Sequence, residues 1–176
     1  MAADPFLHIR RCTMKQFRIT DLKPFTSSLF VGSDFDDLLL YKADITTGIS
    51  ASFDGALKKD FYDDDEWELV AETGYACWAQ VKPLCFDMIK GKKLPVSFRI
   101  SLMLPKDRAG ELKAESRTND DISVRLFLNI IYEHGILTCT TGVASSVFPP
   151  DRLLEDSWDA EAYALLRSKN ITLEEI

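Results

Sequence analysis

Histidine is nearly missing from this chain: its 176 residues hold two, His8 and His134. Ser-His-Asp and Cys-His nucleophilic sites draw on a histidine base. Neither residue suits that role, since His8 lies in a stretch without period and His134 in a hairpin turn, where a solvated side chain is expected. A GxSxG elbow and a GxGxxG dinucleotide loop are both missing. Gly91-Lys92-Lys93 lacks the upstream glycine and the following Ser or Thr of a phosphate-binding P-loop. No cofactor is expected. Long apolar runs are missing too, which removes the sequence basis for a membrane-spanning helix. Arg10 and Arg11 are followed by no apolar segment, so the start does not read as a secretory signal, and the cytoplasm is the expected address.

The four cysteines, Cys12, Cys77, Cys85 and Cys139, form no CxxC pair. On one helix, Cys77 and Cys85 stand about 80° apart around the axis and about 12 Å apart along it. That separation is too long for a disulfide or a shared metal. Reduced, buried thiols are expected, in keeping with a reducing compartment. The aspartates at 34, 36 and 37 and the acidic run 63–66 lack the Gly and Glu spacing of a calcium loop. They read as solvated surface, and no metal site is expected.

What is present is ordinary globular composition, 46% hydrophobic and 28% charged, in a length that suits one domain. The net charge of −7 argues against general attraction to nucleic acid. The charge is unevenly spread. Residues 34–79 carry twelve acidic and three basic side chains, whereas 80–108 carry seven basic and two acidic.

Residues 1–13 show no usable period and read as a mobile extension before a single domain at 14–176. Gln16 to Ile19 reads as a strand, followed by a helix capped by Thr20 with Leu22, Phe25 and Leu29 on one side. Leu38 to Ile45 and Ile49 to Phe53 read as strands around Thr46-Thr47-Gly48. The acidic stretch 60–68 reads as a loop or the first turn of a helix. Trp78, Val81, Cys85, Met88 and Ile89 line a helix that Pro83 is expected to kink or to mark the regular start of, with Gly91 as its left-handed cap. After Pro95, Val96, Phe98, Ile100, Leu102 and Leu104 alternate with Ser97, Arg99, Ser101 and Met103.

Residues 105–121 are polar and read as a mobile loop. Val124 to Tyr132 and Ile136 to Thr141 form a hairpin around Gly135, with a bend at Thr141-Gly142 and an extension through Val147 that Pro149-Pro150 ends. A last helix carries Leu154, Trp158, Ala162, Leu165 and Leu166 and stops near Asn170. The fold class is therefore α+β: a largely antiparallel sheet with about three helices packed mainly on one face.

Lys90, Lys92 and Lys93 belong to the basic stretch, with Lys82 and Arg99. Lysines near a helix C-terminus complement its dipole and ordinarily stay in water. Arg99, Arg125 and Asn129, with Thr138 and Thr140 on the next strand, share the polar side of the sheet if the alternation holds. Such a face suits a phosphate, carboxylate or sugar. A non-catalytic binding or regulatory domain for a protein partner or small anionic ligand is the expected function. The alternatives are a histidine-independent enzyme pairing carboxylates such as Asp54 or Asp60 with Lys or Arg, and a nucleic-acid accessory protein. Trp67, Trp78 and Trp158 do not interleave with the basic positions as a single-strand platform requires.

The stretches MKQFRITDLKPF (14–25), ADITTGISASFDG (43–55), KKDFY (58–62), CFDMIKGKKLPVSF (85–98), LFLNIIYEHGILTCTTG (126–142) and LLEDSW (153–158) carry a family likeness. On these residues the chain resembles an uncharacterised bacterial domain of unknown function over roughly 14–176. The resemblance implies a small cytoplasmic protein without assigned activity, and it transfers no functional residues. Residues 1–13 depart from the family pattern.

Overall fold

The computed structural model describes residues 15–119, 121–147, 151–168 and 170–176. The expected N-terminal extension, His8, Cys12 and the stop at Pro149-Pro150 lie outside the described residues.

Strand β1 (Gln16–Ile19) leads into α1 (Leu22–Phe30), then β2 (Leu39–Thr46) and β3 (Ser50–Asp54). A short 3-10 turn at Lys59–Phe61 precedes α2 (Asp64–Val70) and α3 (Trp78–Ile89). Next come β4 (Ser97–Met103), α4 (Lys106–Glu115), β5 (Val124–Glu133), β6 (Ile136–Ser145), α5 (Arg152–Ser168) and β7 (Leu173–Glu175). The seven strands form one sheet in the order β3-β2-β4-β5-β6-β1-β7, every pair antiparallel.

Period-two alternation fixes which face is dry. Phe98, Ile100 and Leu102 of β4, Leu126, Leu128 and Ile130 of β5, and Leu137 and Cys139 of β6 are buried in one core with Phe25, Leu29, Trp78, Leu154 and Trp158 from the helices. Two indole N–H groups tie this layer together. Trp78 Nε1 donates to the Leu29 carbonyl at 2.8 Å, and Trp158 Nε1 donates to the Phe127 carbonyl at 3.0 Å. Buried indoles seldom go without such partners.

The α+β class and the antiparallel sheet stand as expected, but the described residues hold five helices rather than three. The added ones are α2, started by a capping box between Asp63 and Glu66, and α4, which replaces the expected mobile loop. Helix α4 is rich in strong helix formers, and it buries Ala109 and packs Leu112 against the core. Strand β7 was also not foreseen. Three residues are too few to show alternation, yet they cover the open edge of β1.

Smaller expectations are corrected as well. Thr20 does not cap α1; its hydroxyl and amide both donate to the Thr172 carbonyl, and Asp21 occupies the cap position. Helix α3 runs through Pro83 and ends on an extended Lys90, while Gly91 has φ 142, outside the left-handed helical well. Gly142 is no bend: β6 runs straight through it, opposite Phe127. The β5–β6 turn is made by His134 and Gly135 at φ 53 and φ 76, the positive-φ pair that a two-residue hairpin of this hand demands.

Candidate functional site

The polar sheet face brings several predicted residues together. Strand pairing sets Ser101 opposite Asn129 and Asn129 opposite Thr140, with Arg99 opposite Asp44 and Ile131, and Ile131 opposite Thr138. Arg99, Asn129 and Thr140 share a depression of about 410 Å³ with Lys42, Asp44 and Ser101. Its polar groups largely satisfy one another. Ser101 donates to Asn129 at 2.7 Å, Arg99 reaches Glu133 at 3.4 Å, and Lys42 reaches Asp44 at 3.2 Å. The Ser52 hydroxyl and then Lys42 hold the Asp44 carboxyl below its usual range. Exposed pairs of this kind contribute little stability, but they balance the charge of the face.

The lysines go elsewhere. Lys90 ends α3 on the helical side and pairs with Asp87 at 2.7 Å, and Lys92 and Lys93 are exposed just beyond it. Lys82 turns inward instead, its ammonium donating to the Gly32 carbonyl at 2.6 Å and pairing with Asp36.

Arg125 sits apart from Arg99, at the far end of the sheet, and there a larger feature opens. A cleft of about 530 Å³ lies between α4, the segment 71–75 and the ends of β2, β4 and β5. Several local devices shape it. Strand β2 carries a bulge between Leu40 and Lys42, and the extra residue is Tyr41. A bulge re-aims a side chain, and the Tyr41 ring packs on Phe127 at 5.3 Å and Tyr75 at 6.0 Å. Isolated bridges from Leu39 to Cys77 and from Ala56 to Tyr75 strap the 71–77 segment across the sheet end. Gly55 permits this crossing, because a Cβ there would stand 1.7 Å from the Leu40 carbonyl oxygen.

Leu39, Met103, Leu104 and Ala109 give the cleft an apolar floor. Around it stand Lys106 and Lys113, two turns apart on one side of α4, and Arg125 from β5. Arg125 lies over the Tyr75 ring at 5.7 Å and its Nη1 donates to the Tyr75 hydroxyl at 3.4 Å. Glu72, Thr73 and Ser123 complete the polar lining. Gly110 also faces the cleft, and a Cβ on it would meet no atom within 4 Å.

The family of unknown function DUF5721 matches residues 28–174. The chain belongs to DUF5721. The match covers most of the span expected from the sequence and begins within α1. No curated protein and no solved structure matches the chain. Every residue lining this DUF5721 cleft falls inside the matched range.

Sequence reasoning missed Lys106 and Lys113 because it read 105–121 as a loop, and it gave Tyr75 no role. The available signal was composition: RAGELKAE holds strong helix formers, and a helix there sets the two lysines on one side. Other chemistry is weak in the described residues. Burial pushes the Cys85 thiol up to about 12 and Cys139 higher still, so neither forms a thiolate near neutrality. Asp54 is held below its usual range by Lys58 and the Ala56 amide, which makes it a poor base. Among the described residues, no cluster of three or more His, Cys, Asp or Glu is placed to hold a metal ion, and no helix is long and apolar enough to cross a membrane.

Proposed function

We propose that this DUF5721 domain is a binding module for a small organic anion, which it seats in the cleft between α4 and segment 71–75. The convergence of Lys106, Lys113 and Arg125 above an apolar floor carries the reading. Cations on a rim favour a carboxylate or phosphate through charge-assisted hydrogen bonds. The floor favours an apolar body on the same molecule, and the volume suits a metabolite-sized ligand. The open sheet face, where Arg99, Asn129 and Thr140 stand together, offers the smaller depression. Free thiols at Cys77, Cys85 and Cys139 support a reducing compartment such as the cytoplasm.

The test is a thermal-shift screen with aromatic and aliphatic carboxylates, sugar phosphates and nucleotides. A ligand at about a hundred times its Kd adds about 2.7 kcal/mol to stability, which is several degrees in Tm for a domain of this size. Lys106→Glu and Arg125→Gln are expected to abolish the shift, whereas Arg99→Ala leaves it in place. A panel with no stabilising anion, or a shift lost in Arg99→Ala and kept in Lys106→Glu, overturns the assignment.

A further inference from the structure

Two apolar patches of opposite charge lie at opposite ends of the sheet. The first is the α2 end. Strand β3 returns the chain to the end where Leu39 lies, and the 3-10 turn and α2 follow there. Helix α2 has no buried residue, and a seven-residue helix is marginal without packing. Its Asp63–Glu66 capping box supports one end only. Phe61 and Leu69 are each 83% exposed. The aromatic rings beside them pack on one another, Phe61 on Tyr62 at 5.3 Å and Tyr62 on Trp67 at 5.9 Å. Asp60, Asp63, Asp64, Asp65, Glu66 and Glu68 lie in the same stretch of chain and outnumber Lys58 and Lys59 just before it.

The second patch is a groove of about 470 Å³ between α1 and α3, near the end of the sheet where Tyr132 and Phe98 lie. Val31, Phe86, Ile89 and Leu94 line it above Phe30 and Phe98, with Val31 63% and Leu94 80% exposed. Lys23 and Lys90 stand on its lip, and Lys92 and Lys93 follow directly on the lip residue Gly91. The acidic groups near this lip are Asp87, paired with Lys90, and Asp21 at the start of α1.

We propose that the chain associates with a second copy of itself head to tail, the acidic α2 end of one copy entering the basic-lipped α1–α3 groove of the next. Both surfaces are apolar at the centre and charged at the rim, the anatomy of a specific interface. The signs of the rims select the pairing. Groove against groove sets lysines on lysines, and α2 against α2 sets carboxylates on carboxylates, so a two-fold dimer through either patch is disfavoured. Only the mixed contact joins opposite charges. Because the patches lie at opposite ends, this contact is heterologous and propagates into a ring or an open chain. The proposal is independent of the ligand cleft.

Sedimentation velocity of the full chain from about 1 µM to about 1 mM reads it directly. Wild type is expected to grow with concentration, and to do so at least about tenfold less readily in 0.5 M than in 0.05 M salt. Phe61→Ser/Leu69→Ser, which removes the inserting side chains, and Lys90→Glu/Lys92→Glu/Lys93→Glu, which reverses the lip, each stay monomeric alone. Mixed, these two variants form a one-to-one pair that grows no further, since each keeps the surface the other lacks. That complementation also shows that both variants are folded. A wild type monomeric across the whole range overturns the proposal, as does self-association that persists in both variants or a mixture that forms no pair. A monomeric wild type that instead binds phosphatidylserine vesicles through the lysine lip also overturns it, and assigns the groove to a membrane surface.

Discussion

Asp159 shows how one buried carboxylate ties pH to stability. It lies on α5 and is 7% exposed. The Thr141 hydroxyl of β6 donates to it, and Lys15, Asp156 and Glu155 lie within electrostatic reach. Burial raises its pKa above the ordinary value, and Thr141 and Lys15 only partly oppose that. A carboxyl whose folded pKa is raised binds its proton more tightly in the folded state. Its contribution to stability is therefore complete below the unfolded pKa and is lost as pH rises through the folded pKa. Asp159→Asn keeps an acceptor for Thr141 and cannot ionise, and Lys15 retains Glu175 at 3.0 Å. The variant is expected to melt above wild type at pH 7, with the difference shrinking by pH 4. Calorimetry at both pH values checks this, and a gain of the same size at pH 4 refutes the burial account.

At the scale of elements, α4 carries the main consequence. A mid-helix glycine costs about 0.5–1 kcal/mol relative to alanine, and Gly110 occupies such a place with open space where its Cβ would lie. Gly110→Ala is thus expected to stabilise the fold by about that amount, read as a higher urea midpoint. The new methyl would stand inside the cleft, so affinity for the anion found by thermal shift is expected to fall several-fold. Unchanged affinity removes the cleft from consideration. The reading of 105–121 as a loop failed at this scale for a physical reason. Its polar composition hid the two positions, Ala109 and Leu112, through which α4 meets the core. By contrast α3 and α5 were legible, because Trp78, Val81 and Cys85, and then Leu154, Trp158 and Ala162, repeat at helical spacing over about two turns.

For the molecule as a whole, the chain ends decide how the sheet is closed. Strand β1 lies between β6 and β7, so the first and last described strands are neighbours. Ile171, 1% exposed, enters the core just before β7, and the Thr172 carbonyl accepts both donors of Thr20. Deleting 171–176 removes a buried isoleucine and bares the β1 edge. The expected loss is about 3 kcal/mol, from side-chain burial and the tethering hydrogen bonds. Urea denaturation measures it, and light scattering is expected to show aggregation through the open edge. Stability equal to wild type would mean that β7 contributes nothing to the sheet.

Alternation in β4, β5 and β6, the His134-Gly135 turn and the two long amphipathic helices were determined locally, because period and turn chemistry act between residues near in sequence. Those features carried the α+β class and placed Arg99, Asn129, Thr138 and Thr140 on one face. Tertiary structure alone decided that Arg125, at the other end of that face, meets Lys106 and Lys113 in a cleft, and that Lys90, Lys92 and Lys93 border a different groove. It also decided that β7 exists at all. Those outcomes depend on strand order, on a bulge at Tyr41 and on which elements pack together. Such contacts join residues distant in the chain, and no local pattern encodes their meeting.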